Sequence, residues 1–484
     1  MKNLLGFLMF FLLLLQQPCG VFAGEALELV LSQAVSIALK ENLSLKSEGL
    51  NIPFAQAEVL VREGEFDPSF NLGLSQDYAK IDSVSSLIPS ERRQTDGFAS
   101  FAGKLKTGTQ YELRWDNARV KSNLGFLTVN PYYSSETALR LSQPLLKGWG
   151  MSVQTANIDV ARKNIDISSY RERKKAEDII LQTARAYWDL YFRKKDVEVS
   201  HLSLRLSEAV SKEVSEKIDV GVLAPIEASE AEANVYARKQ ELILAEKAMR
   251  DAEDTLKKIL NFHDWSKAIV PVEEPRVEAV ADIEEPYQDI LNRRWEYKSS
   301  LTELRNRETI RNFYKNQVLP DLSVFGSAGL DGVNDGYSNA VSDMGSTDFY
   351  SWELGVNLTV PIGNNAARGN YRKALYEEEK AKLAVSETEQ SVIYEVREAR
   401  RASRVAFDTW EAAVKKREAT QKRYEAERER FAVGLAVLND VLRLEVDYSR
   451  SLSQEYFAIT AYVFSLVKLD QATGRVLERF AQGQ

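Results

Sequence analysis

Histidine and cysteine are almost absent. The chain has two histidines, His201 and His263, and one cysteine, Cys19, in 484 residues. Such scarcity excludes His/Cys zinc centres, iron–sulfur clusters, Cys-ligated haem and a disulfide scaffold. A basic surplus is missing too. Lys plus Arg number 63 against 71 Asp plus Glu, a formal charge of −8, which argues against nucleic acid, whose affinity rests on clustered cations. Long apolar runs are absent after residue 23, so a transmembrane helix is not expected. Barrel strands remain open, since each needs only about 9–11 alternating residues. Catalytic signals are lacking as well. Neither histidine has a Ser or Cys partner in a recognisable motif, and Gly148-Trp149-Gly150 lacks the strand–Gly–helix context of a phosphate loop. No enzyme activity, cofactor or metal is expected.

The N-terminus reads as a secretory signal. Lys2 precedes an apolar run from Leu4 to Leu15, and Val21-Phe22-Ala23 forms a small-residue cleavage site. The run is shorter than the about 20 residues of a membrane helix. Cys19 follows Gln16-Gln17-Pro18, without the leucine and small residue of a lipid-acceptor site. Cleavage after Ala23 leaves a mature chain without cysteine.

Internal repetition decides the architecture. Ile37–Leu45 matches Asp289–Tyr297, and Pro68 aligns with Pro320. Leu141-Ser142-Gln143-Pro144 matches Leu358-Thr359-Val360-Pro361, and Val220-Gly221-Val222 matches Val433-Gly434-Leu435. The offset shrinks along the chain, so the first copy carries extra residues, mostly between Ser69 and Gln143. Each copy reads as short helices, strands, a very long helix, a tight turn and a shorter helix. The long helix of copy two, about Ala367 to Phe431, would span about 100 Å. Val385, Val392, Ala399, Ala406 and Ala413 form one heptad row; Val396, Ser403, Trp410, Tyr424 and Phe431 form a second, which Arg417 interrupts. Sustained heptads of this kind mean coiled-coil-like packing.

The strands alternate. Trp352, Leu354, Val356, Leu358 and Val360 share one face; Glu353, Gly355, Asn357 and Thr359 share the other. Period two with charge on one side suits either a sheet on a soluble core or a barrel with lipid outside and water inside. Aromatics at strand ends (Tyr78, Tyr132, Tyr133, Phe349, Tyr350, Trp352) favour the barrel. The surplus of copy one reads as a hairpin, 98–105 and 109–117, between polar stretches 80–96 and 118–136. Whether it joins a barrel wall is open at this stage.

These residues, above all Val220-Gly221-Val222-Leu223-Ala224-Pro225 and Val433-Gly434-Leu435-Ala436-Val437-Leu438, with Leu29–Asp77 and Trp352–Pro361, resemble the TolC-like outer membrane efflux protein family. The likeness covers nearly all of 26–476. It implies a mixed α+β membrane protein with two repeats: a homotrimer whose chains each give four to six strands to one outer-membrane β-barrel, continuous with a long helical tunnel. It also implies a periplasmic adaptor and an inner-membrane pump as partners, outer-membrane lipid around the barrel, and a large periplasmic portion. Twelve strands would be standard; with the extra hairpin the wall would have about eighteen.

The expected segments are a signal peptide 1–23, helices 24–67, barrel strands with the extra hairpin 68–146, a helical hairpin 147–263 and a linker 264–283. Copy two follows with helices 284–319, strands 320–362, a helical hairpin 363–475 and a tail 476–484. Gly221 and Gly434 end long helices, while Val222, Leu223, Leu435 and Ala436 would form apolar tips that dock an adaptor. Glu227, Glu230 and Asp440 follow the tips. The resemblance implies that such acids line the periplasmic entrance, where threefold repetition would make charged rings. Stabilisation of helix N-termini is the rival account for Glu227 and Asp440. Arg443 stands at the second acidic position of copy two, and a closed state could be held by its pairing with Glu227 or Glu230. The function expected is a passive export duct for a tripartite efflux pump or type I secretion system; a periplasmic adaptor or a structural coiled coil is the alternative.

Overall fold

The computed structural model describes residues 26–82, 85, 87–277 and 285–481. The signal segment with Cys19, the end of the linker and the last three residues lie outside the described residues. Element order is β1 (Leu27–Leu29), α1 (Leu31–Glu41), α2 (Leu43–Gly49), α3 (Asn51–Glu63), β2 (Ser69–Lys80), β3 (Glu91–Lys104), β4 (Gln110–Ser122) and β5 (Tyr132–Pro144). Then come α4 (Met151–Gln154), α5 (Ala156–Asp219), α6 (Ile226–Ile259), β6 (Ile269–Pro271), α7 (Tyr287–Arg293) and α8 (Trp295–Gln317). The rest is β7 (Asp321–Asn334), α9 (Tyr337–Gly345), β8 (Tyr350–Thr359), α10 (Asn365–Ala432), α11 (Leu438–Ala472) and α12 (Val476–Ala481). These build two compact units, one from Met1–Ser47, Lys174–Arg293 and Val392–Gln484, the other from Glu48–Arg173 and Arg294–Ser391.

The first unit is helical, with β1 and β6 paired in parallel, Leu27 opposite Ile269. Its core gathers Ile179, Ile180, Tyr187, Leu256, Leu260 and Tyr462. The Tyr187 hydroxyl donates to the Leu29 carbonyl at 2.9 Å and accepts the Glu273 N–H at 3.2 Å, fastening the two short strands to α5. Burial pushes its pKa up to about 12. Within this unit the heptad rows of α10 bury Val392, Val396, Ala399, Ser403, Tyr424 and Phe431, while Ala406, Trp410 and Ala413 are partly exposed. Ala399 and Ser403, the small residues among them, allow close helix approach.

The second unit holds one six-stranded sheet, ordered β2-β3-β4-β5-β7-β8, with every neighbouring pair antiparallel. The extra hairpin of copy one is therefore part of the sheet. Its strands, β3 and β4, run well into the polar stretches that read as loops. Arg92, Gln94 and Asp96 alternate with Arg93 and Thr95 there, and ladder bonds satisfy the backbone without an apolar pattern to announce it.

Cross-strand partners share a face. One face carries Leu72, Leu74, Leu113, Leu139, Leu354 and Val356, and it is open, with Leu74 83% exposed. The other carries Glu112, Arg114, Asp116, Glu136, Arg140 and Glu353, with ion pairs Arg114–Asp116 at 2.7 Å and Arg140–Glu112 at 3.6 Å. Each edge strand has a glycine beneath an aromatic ring on this charged face. A Cβ at Gly73 would lie 2.2 Å from the Phe98 ring, and one at Gly355 would lie 2.3 Å from the Phe325 ring. Helix α9 covers the outer part of β5 and β7 on the apolar face. Ala340 is fully buried there, and the Met344 sulfur accepts from Ser135 and Thr137 at 3.5 and 3.3 Å. Among the described residues, no strand pairs with the outer edges of β2 and β8.

Candidate functional site

The two helix-to-helix turns of the first unit have the same construction. Gly221 and Gly434 both have φ of 79°, a left-handed conformation that suits glycine. At the first turn, the Val222 N–H donates to the Lys217 carbonyl at 2.8 Å and the Gly221 N–H to Ile218 at 2.9 Å. The second turn repeats this with Leu435 to Arg430 at 2.8 Å and Gly434 to Phe431 at 3.1 Å. Each is a Schellman stop, satisfying carbonyls that the helix end would leave bare.

The stops set which tip residues face out. Val220, Val222, Ile226, Val433, Leu435 and Val437 are all more than half exposed. Leu223 and Ala436, which the sequence grouped with them, instead turn inward against Val210, Val214, Phe431 and Val441. Lys217 joins the two turns: its ammonium donates to the Phe431 carbonyl at 2.5 Å, lies 3.9 Å above the Phe431 ring and pairs with Glu213 at 3.0 Å.

Glu227 sits half-buried in the first turn of α6, and Asp440 in the first turn of α11, where the helix dipole favours an acid. Glu230 is exposed one turn further on. Arg443 pairs with Asp440 of its own helix at 3.0 Å, and no described residue forms an ion pair with Glu227 or Glu230. The Arg443 link to Glu227 or Glu230 is thus not what this conformation contains, because Asp440 lies within reach one turn away.

Sequence reasoning missed a buried polar layer above the tips. Glu445 of α11 is fully buried. Ser203 of α5 donates to its Oε1 at 2.5 Å and Ser449 at 3.1 Å, while Oε2 has no hydrogen-bond partner among the described residues. Burial raises the pKa of this carboxyl, against the pull of the two serines, Arg238 and Asn234. The signal was present: Leu438, Val441, Leu442 and Glu445 follow the three-and-four spacing of a buried face.

No helix among the described residues is long and apolar enough to cross a membrane, and none of their His, Cys, Asp and Glu side chains form a metal-binding group. The model of the family described as outer membrane efflux protein matches residues 34–261 and 287–475. No curated protein matches the sequence. Among solved structures, the Campylobacter jejuni CmeC outer membrane channel is similar at 19% identity and a TM-score of 0.66, over 92% of this chain and 86% of that one. A membrane protein from Pseudomonas aeruginosa is similar at 18% identity and a TM-score of 0.69, over 92% and 93%. The outer membrane protein VceC from Vibrio cholerae is similar at 13% identity and a TM-score of 0.66, over 92% and 96%.

Proposed function

The chain belongs to the outer membrane efflux protein family, and from that premise we propose that three copies form a passive export duct serving a tripartite pump or a type I secretion system. The observation that carries this reading is the two-sided sheet with free edges. An exposed apolar face of this extent is intolerable in water but natural against lipid, and unpaired strand edges are intolerable in lipid. Lipid takes the apolar face, and neighbouring copies close the edges by joining β8 of one to β2 of the next. Those strands run in opposite directions, so the seam stays antiparallel.

Three six-stranded sheets make a wall of eighteen strands. Barrel diameter grows roughly in proportion to strand number, and about 16–18 strands enclose an aqueous channel rather than a packed core. The charged face then lines water. The helices stand in the periplasm, where the apolar tips around Val222 and Leu435 meet an adaptor that leads to an inner-membrane pump. Glu227, Glu230 and Asp440 form acidic rings at the entrance and favour cations. Val21-Phe22-Ala23 ends the signal that sends the chain across the inner membrane.

Recording from the purified full-length protein in planar bilayers tests this. The expected result is a heat-modifiable trimer with cation-preferring currents, lowered by neutral polymers small enough to enter the bore and unaffected by larger ones. Glu227→Gln with Asp440→Asn should weaken the preference. A soluble monomer that conducts nothing overturns the duct, and unchanged selectivity in the variant removes the rings.

A further inference from the structure

The apolar face of the sheet is not uniformly apolar. At the end where Lys104 pairs with Glu65 at 3.0 Å and the strands lead into helices, its strand positions carry no charge. All of its charged positions lie at the opposite end, on β2, β3 and β4: Lys80, Glu91, Arg93, Arg119 and Lys121. Four are cations and one is a carboxylate.

These cations are poorly neutralised. Arg93 and Lys121 are direct cross-strand partners, an arrangement that repels. Glu91 stands opposite Lys80 and accepts a hydrogen bond from the Tyr78 hydroxyl at 3.2 Å. No ion pair among the described residues involves Lys80, Arg93, Arg119 or Lys121, although the charged face of the same sheet is laced with them. Nearby on α9, Asp343 is occupied by the Asn334 amide at 2.8 Å. Two of the guanidinium groups are braced by tyrosines. Arg93 lies 5.5 Å from the Tyr78 ring, and Arg119 lies 5.8 Å from the Tyr133 ring while its Nε donates to that hydroxyl at 3.0 Å. The bracing leaves their terminal N–H groups free for an anion. Tyrosines at this level mark the border between acyl chains and headgroups.

We infer that Arg93, Arg119 and Lys121 bind the phosphates of a phosphorylated glycolipid in the outer leaflet. This rests on the duct reading, which puts the helix-distal end of the sheet at the cell surface. Acyl chains would lie on Leu72, Leu74, Leu113 and Trp115, with the phosphates above them between Arg93 and Lys121. The anion removes the repulsion across the β3–β4 ladder, and charge-assisted bonds from Arg to phosphate are among the stronger ones available. Among the described residues the strand positions of this face carry no cation at the opposite end, so the inner leaflet receives no matching site on it. The extra hairpin thus supplies three of the four cations.

Native mass spectrometry of the delipidated full-length protein tests the assignment, with bis-phosphorylated lipid A, its dephosphorylated form and inorganic phosphate as probes. The variant Arg93→Gln/Arg119→Gln/Lys121→Gln should bind bis-phosphorylated lipid A at least about tenfold more weakly. Arg92→Gln, one residue away but on the charged face, should bind as the parent does. The dephosphorylated lipid should bind the parent no better than the triple variant, and inorganic phosphate should bind far more weakly than the lipid. Equal loss in Arg92→Gln, equal binding of the dephosphorylated lipid, or phosphate binding as tightly as the lipid overturns the site. A protein that inserts and conducts while giving any of those results leaves the duct standing. One that forms no membrane-inserted oligomer removes the duct and this site together.

Discussion

Lys217 reaches from one helical hairpin to the other and places its ammonium on both the carbonyl and the ring of Phe431. One side chain thereby ties the end of α5 to the end of α10, and Glu213 holds it in place. A cation over a ring contributes about 0.5–2 kcal/mol. Lys217→Met should let the second turn open more often, with amide exchange of Val433, Gly434 and Leu435 faster by about tenfold. Unaltered exchange at these amides would show that the tie is not a constraint.

The tips separate docking from folding. Val222→Asp with Leu435→Asp puts charge on exposed positions and should abolish export while trimers form at normal yield. Leu223→Asp puts a carboxylate against Val210, Val214 and Phe431 instead, and should lower thermal stability by several kcal/mol. Assays of export and heat-resistant trimer on both variants check this. Export at the parental rate from the double variant dismisses the docking surface.

How far the sequence carried these assignments depended on the kind of signal. The heptad rows needed only periodicity, and Val392, Val396, Ala399 and Ser403 are buried as that periodicity demands. The alternation of Trp352, Leu354 and Val356 likewise read directly as a two-faced strand. The full length of β3 and β4 was not legible, because their outer halves are polar on both faces. Nor was the inward turn of Leu223 and Ala436. It follows from a glycine in the left-handed region, which redirects the next residues in a way that composition does not record.

Glu445 gives a pH dependence with a definite sign. Burial holds its folded pKa above the ordinary 4.5, so the folded chain binds this proton more tightly than the unfolded one. Its contribution to stability is fully present below the unfolded pKa and is lost as pH rises through the folded value. The facing groups are Ser203 of α5, Asn234 and Arg238 of α6, Tyr424 of α10 and Ser449 of its own helix. Glu445→Gln stays neutral throughout. It should melt above the parent at pH 7.5, with the gap narrowing toward pH 4.5; parallel melting curves across that range count against a buried titrating acid.

Gly332 sits under α9, where an added Cβ would lie 2.1 Å from the backbone carbonyl oxygen of Ala340. Backbone cannot yield as a side chain does, so Gly332→Val should lift α9 from β5 and β7. Limited proteolysis should then cut within Tyr337–Gly345 at least about tenfold faster, while conductance stays the same. Equal cutting of variant and parent would mean that α9 accommodates the side chain in place.

The opposed directions of β2 and β8 restrict how such a wall can vary. If a chain gained or lost one strand, its two rims would point the same way and its copies could no longer meet in an antiparallel seam. Changes in calibre must therefore come as whole hairpins, multiplied by the number of copies around the axis. The β3–β4 insertion is one such increment, and a lineage could widen or narrow its conduit only in steps of that size.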